Sequence, residues 1–376
     1  MRTRLRTTAT VAVATVGVAV VGLAMQAMVA PAHAAQTISN VAYAPAQPAG
    51  GKGHLLDLYL PEGSGLRPLV IWTTGSAWMS DTGKDGARSI ASTFNAKGYA
   101  VAGVSVRSSS QAKYPAQVHD IKAAIRWLRS HAGEYRLDPN RFAVMGDSSG
   151  GWVADMAALT GGVADLEGTL GTTGVSSAVQ AGVAFFGPTD FLKMNAQKLP
   201  NGMDHDGASS PESQLIGCAL QSCPDKVAKA NPVKYVDKSD PPMMLLHGQA
   251  DTLVPHGQSV LLYEALKAAC TEAQFFSVPG ADHGTSNVLS SSHYGSQTVR
   301  TTTTCTEKTS IGSPNPSWDT VEQFLRKALN VGGTDPTPTQ TTPTPTPTPS
   351  TTPTPTPTTP TPSTTPSEQQ GCSAAY

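Results

Sequence analysis

Gly146-Asp147-Ser148-Ser149-Gly150 is the stretch from which the fold of this chain can be read. The apolar run Phe142 to Met145 precedes it, and a helix-compatible run, Trp152 to Leu159, follows. A serine with glycine two positions to either side, where a strand turns straight into a helix, implies a turn too tight for flanking side chains. The serine is held in a strained conformation with its hydroxyl clear of the backbone, open to a substrate and to a base. The frame selects Ser148: Ser149 in that role would need glycine at position 147, where Asp147 stands.

A serine hydroxyl is a weak nucleophile near neutral pH, so it needs a base, a group that orients the base, and donors for the oxyanion. The base is expected late in the chain, on a loop after the last strands. Ala281-Asp282-His283-Gly284, after the strand-like run Gln274 to Val278 and a Pro279-Gly280 turn, makes His283 the candidate. His247 follows directly on the run Met243 to Leu246 and reads as packed under the next loop. The acid should lie between serine and histidine. Asp251 stands just past a buried strand, ahead of a proline-started helix; Asp190 is its rival, and Asp282 is too close to His283 to serve. The order Ser148, Asp251, His283 is the one expected when the serine stands on such an elbow. One oxyanion donor is the N–H of Ser149. The other should come from Thr74-Gly75-Ser76-Ala77-Trp78, with the N–H of Ser76 or Ala77 as candidates and Trp78 as a substrate contact. No metal and no organic cofactor is required.

The surrounding pattern alternates strands and helices. Leu55 to Leu60 reads as an edge strand, and Pro68 to Trp72, Tyr99 to Val104 and Ala181 to Phe186 read as buried strands. Helices are expected over Ala87 to Lys97, Gln117 to His131, Gly257 to Ala269 and Trp318 to Leu329. The predicted class is α/β, a mostly parallel sheet with helices on both faces. Leu192 to Asp240 interrupts it with a long irregular segment of the kind that serves as a lid or binding loop. Asp204-His205-Asp206 within it reads as an exposed polar loop rather than a cation site.

Residues 1–34 read as an export signal. Arg2, Arg4 and Arg6 precede an apolar run from about Val11 to Val29, and Ala32-His33-Ala34 offers a small-x-small cleavage pattern. Its removal leaves 23 basic against 27 acidic residues, a formal charge of −4. That balance points to no nucleic-acid partner, and apart from the leader, whose rival reading is an uncleaved anchor, no segment is expected to span a membrane. Export also governs the five cysteines. Cys218 and Cys223 are close enough to clip a loop, and Cys270 with Cys305 would tie two later segments. Zinc at Cys218 and Cys223 would need a second ligand pair that the sequence does not place nearby. The catalytic domain is expected over 35–332, followed by a disordered Pro-Thr linker over 333–370 and by residues 371–376, which contain the unpaired Cys372.

Taken in order, Gly146 to Gly151, the His-Gly-x-x-Asp-x-x-Val-Pro run holding Asp251, and Asp282-His283-Gly284 resemble the α/β-hydrolase superfamily. The likeness is to its secreted esterase and lipase-like branch, which includes bacterial feruloyl and acetyl-xylan esterase-like proteins. Phe186-Gly187-Pro188-Thr189-Asp190, Ser210-Pro211-Glu212-Ser213 to Gly217 and Ala230-Asn231-Pro232 resemble that branch too. One departure stands out: the branch usually reads His-Gly-Gly-x-Trp where Thr74 and Ser76 replace the histidine and one glycine here. The resemblance implies a secreted serine carboxylic-ester hydrolase acting on acetyl or feruloyl esters of plant polysaccharides. A peptidase of the prolyl-oligopeptidase type and a general lipase or esterase on small esters are the alternatives. Gly371 to Tyr376 resembles the opening of family 2 carbohydrate-binding modules. That implies a sequence ending just inside a cellulose- or xylan-binding module.

Overall fold

The computed structural model describes residues 33–332. The expected leader up to residue 32, the Pro-Thr linker and the six terminal residues lie outside the described residues. The ten strands among the described residues are β1 (Gln36–Ala42), β2 (Leu55–Leu60), β3 (Arg67–Thr73), β4 (Ala100–Val104), β5 (Leu137–Asp147), β6 (Ala181–Phe185), β7 (Met243–Gly248), β8 (Ala273–Val278), β9 (Thr298–Thr303) and β10 (Thr306–Ile311). They form one sheet in the order β1-β2-β4-β3-β5-β6-β7-β8-β9-β10. Strands β3 to β8 run parallel, while β1 and β2 at one end and β9 and β10 at the other are joined antiparallel.

The parallel strands are near-continuous apolar runs because both faces of the sheet are covered. Side chains alternate between faces with a period of two. Leu69 and Ile71 of β3 join one core and Val70 and Trp72 the other. The first core receives Val118, Ile121, Ile125 and Leu128 from the helix Ala116–Ser130, together with most of the helix Ser149–Leu159. The second receives Ile90 and Phe94 from Ala87–Phe94, and Val321 and Leu325 from Trp318–Ala328. The fold is the α/β-hydrolase sheet with helices on both faces.

Strand β2 is not at the edge. β1 covers it, with Thr37 paired to Tyr59 and Ile38 to Leu58. The apolar pattern hid β1 because most of its side chains are exposed, so it adds to the sheet through its backbone rather than through a buried face. The β9–β10 hairpin also lacks an apolar pattern: β10 is mostly exposed, and β9 is polar apart from Val299 although none of its side chains is exposed. The hairpin's signals are β-branched threonines and the two-residue turn Thr304-Cys305, both at positive φ (48° and 64°), the geometry that two-residue hairpins favour. A disulfide from Cys305 to Cys270 ties the tip of this hairpin to the chain just past the helix Gly257–Ala268.

Candidate active site

Ser148 lies between β5 and the helix Ser149–Leu159 with φ 53° and ψ −126°, a backbone state that L-residues seldom adopt. The strain persists because the surroundings hold it: the Ser148 N–H donates to Phe185 O at 2.9 Å, and Trp152 N donates to Ser148 O at 3.1 Å. The flanking glycines follow from close backbone approach. A Cβ on Gly146 would stand 2.3 Å from Gly150 O, and one on Gly150 would stand 2.2 Å from Thr73 O.

His283 and Asp251 meet on loops that leave β8 and β7. Nδ1 of His283 lies 2.7 Å from Asp251 Oδ2. An ionised carboxylate can only accept, so Nδ1 carries the hydrogen and Nε2 is left as the basic nitrogen. Asp251 is fully buried, and burial works against its charge. Hydrogen bonds from His247 and His283 outweigh that penalty and hold the carboxyl well below the usual carboxylate range. Its other oxygen accepts from Leu253 N at 2.9 Å and Val254 N at 2.8 Å. Nε2 of His247 is 3.0 Å from Val254 O and 3.3 Å from Asp251 Oδ2, and Nδ1 meets Ser259 Oγ at 2.8 Å. His247 therefore packs under the acid loop and also supports the acid. Phe186 lies against the other side of His283, with ring centroids 4.4 Å apart.

The remaining acid candidates lie elsewhere. Asp190 pairs with Lys193 at 3.2 Å. Oδ1 of Asp282 accepts from Thr252 N at 3.1 Å and His283 N at 2.7 Å, so it clips the acid loop to the base loop.

The loop after β3 is held by side chains of the elbow itself. Gly75 N donates to Asp147 Oδ1 at 2.8 Å, Ser76 N to Ser149 Oγ at 2.9 Å and Trp78 N to Ser149 Oγ at 3.3 Å. Ser76 is thus corrected as an oxyanion donor: its N–H is committed to Ser149. Ala77, at φ 53° and lining the cavity beside Ser148, is the candidate left on this loop, alongside the N–H of Ser149. Burial raises the Asp147 carboxyl above its ordinary range, partly offset by the Gly75 N–H and by His283. Sequence reasoning missed the side-chain roles of Asp147 and Ser149. The only signal was two small polar residues at variable positions inside the elbow motif, which no spacing rule interprets. Trp78, expected as a substrate contact, lines the cavity beside Ser148. It is 4% exposed, edge-on to Trp152 and Phe191 at 5.4 and 5.5 Å, and contributes to the cavity as a packed wall.

That cavity encloses about 90 Å³ and brings Ser148, Ser149, Ala77, Trp78 and His283 to one space. The irregular segment expected over Leu192 to Asp240 contributes Met203, Pro211 and Glu212 to its wall. Within that segment Cys218 is bonded to Cys223, and Ala230 O accepts from Trp152 Nε1 at 2.8 Å, which ties it to the elbow helix. The tripeptide Asp204-His205-Asp206 is not uniformly exposed, as expected from its polarity. His205 is fully buried, with Nδ1 3.2 Å from Glu212 Oε1. No group of three or more metal-ligating side chains converges among the described residues. No described helix is long and apolar enough to cross a membrane.

Comparison with known proteins places this geometry. Residues 56–266 match the family described as BD-FAE. Esterase LipQ of Mycobacterium tuberculosis is 29% identical over 255 residues, which are 67% of this chain and 58% of that protein. The chain spans about half the length of the curated relatives it matches. Among solved structures, a truncated form of a carbohydrate esterase from gut microbiota is 38% identical with a TM-score of 0.58, covering 66% of this chain and 89% of the other. A bifunctional GH43-CE protein of Bacteroides eggerthii is 39% identical with a TM-score of 0.60, covering 66% of this chain and 33% of the other.

Proposed function

Because the chain belongs to the BD-FAE family of α/β-hydrolase esterases and is a carboxylic ester hydrolase, we propose that it removes acetyl groups from plant polysaccharides outside the cell, through an acyl-enzyme on Ser148. The observation that carries the acyl preference is the size of the cavity. About 90 Å³ is well below the roughly 150 Å³ of a cavity that holds a benzene ring, which supports an acetyl group over an enclosed feruloyl ring. The likeness to a carbohydrate esterase supports a sugar as the alcohol. Two disulfides, Cys218–Cys223 and Cys270–Cys305, fit an oxidising compartment and support secretion.

In this reading Ser148 Oγ attacks the ester carbonyl while Nε2 of His283 takes its proton. Asp251 keeps the other nitrogen protonated and stabilises the imidazolium that forms. The N–H groups of Ser149 and Ala77 receive the oxyanion, each contributing about 3 kcal/mol in the transition state. His283 then protonates the leaving sugar oxygen. Water, deprotonated by the same nitrogen, attacks the acyl carbonyl and releases acetate and free Ser148. Acetylated xylan, methyl ferulate, p-nitrophenyl acetate and a proline anilide, assayed side by side, test this. Acetate release from xylan at a rate well above ferulate release is expected. Ferulate as the better substrate would overturn the acyl assignment, and anilide cleavage without ester cleavage would overturn the reaction class.

A further inference from the structure

The wall of the cavity is apolar along Ala77, Trp78, Pro188, Met203 and Leu253, with one acidic exception. Glu212 stands among the lining residues, is 2% exposed, and its Oε2 has no hydrogen-bond partner. Its other oxygen lies 3.2 Å from His205 Nδ1, a contact at ion-pair distance that is not aligned as a hydrogen bond. The polarity continues behind it: both His205 ring nitrogens and Ser213 Oγ are buried without hydrogen-bond partners. Buried polar groups are normally satisfied, so a cluster left without partners beside a substrate cavity marks a place where a ligand supplies them, and at Glu212 Oε2 what is lacking is a donor. Neither serine attack nor oxyanion binding needs an acid there. An apolar alcohol would gain nothing from it and would leave the oxygen unpaired.

We propose that Glu212 is a specificity-determining residue that accepts a hydrogen bond from a free hydroxyl of the substrate, next to the ester being cleaved. His205, in contact with Oε1, acts as its positioning residue. The ligand class is the monoester of a vicinal diol, the unit that a partly acetylated sugar ring presents. This rests on the reading of Ser148 as the nucleophile and deepens it by assigning the group that distinguishes a polyol from a plain alcohol. A hydroxyl bound this way donates to a buried carboxyl oxygen and excludes water from it, which raises the penalty for any substrate lacking that hydroxyl.

Two esters with the same number of heavy atoms separate the possibilities: 2-hydroxyethyl acetate, which carries the hydroxyl, and propyl acetate, which does not. The wild-type enzyme should favour the first in kcat/KM by roughly 10-fold, as for one hydrogen bond to a buried acceptor that would otherwise be left unpaired. In Glu212→Met, close in shape and with only a weak sulfur acceptor, that ratio should fall to near one; in Glu212→Gln it should lie between. A wild-type ratio near one overturns the proposal, whether or not either variant folds. So does a ratio that survives intact in a folded Glu212→Met. Loss of turnover on both esters in the wild type would overturn the serine-esterase reading and this assignment with it. Turnover without discrimination would overturn this assignment alone.

Discussion

Asp155 is the group whose replacement should most clearly stabilise the protein. It sits in the helix Ser149–Leu159 at 1% exposure, and neither carboxyl oxygen has a hydrogen-bond partner. Burial pushes its pKa well above the ordinary aspartate value. Even neutral, an unpaired buried carboxyl costs about 1–3 kcal/mol. Asp155→Ala removes that cost and gains about 0.5 kcal/mol in helix propensity. The void left by a carboxylate-sized group returns a loss of about 1 kcal/mol. The net gain in acid is therefore about 1 kcal/mol, and it should grow with pH. A folded-state pKa above the unfolded one means that the wild type holds its full stability below about pH 3.9. As pH rises the unfolded chain ionises at this position and the folded chain does not, which costs the wild type up to about 1.4 kcal/mol per pH unit until the raised pKa is reached. The alanine variant has no such slope from this position. Urea unfolding of both proteins between pH 5 and 8, with equal m-values, measures the difference. A gap independent of pH, or a variant less stable at pH 7, would refute the reasoning and show that the carboxyl is satisfied.

Asp251→Asn puts an amide opposite His283 Nδ1 and favours the wrong tautomer, so kcat should fall by about 10⁴ with the fold retained, while Asp190→Asn changes kcat only a few-fold. Equal losses in the two variants would transfer the orienting role. His256 supplies an acid-limb test. Burial, reinforced by His247, pushes its pKa down to about 4, and its Nε2 meets Ser277 Oγ at 2.9 Å. Its folded-state pKa lies below the unfolded one of about 6.5, so its contribution is intact above pH 6.5 and lost as pH falls towards 4, up to roughly 3 kcal/mol. Denaturation midpoints of His256→Gln should fall less over that interval than those of the wild type; parallel curves would contradict this.

What could be read from the chain followed physical necessity. Buried parallel strands must be apolar on both faces, and the glycines at 146 and 150 must be glycine where backbone comes within 2.3 Å of where a Cβ would stand. Both leave marks in a linear sequence. β1, β9 and β10 join the sheet edges through backbone hydrogen bonds with largely polar side chains, and so leave almost no periodic mark. The candidate acid and base, Asp251 and His283, were visible because their loops follow strands in a set order. The commitment of Ser76 N–H to Ser149 Oγ was not, because it depends on how a loop 73 residues away folds over the elbow. Glu212 was visible only as part of a motif. Its burial beside Ser148 depends on the packing of the segment expected over Leu192 to Asp240, which has no regular period.

The most direct test of the account is acetate release from acetylated xylan by the wild type and by Ser148→Ala, with urea unfolding confirming that both are folded. The account predicts steady release by the first and none above background by the second. Release by the alanine variant at a comparable rate would contradict it.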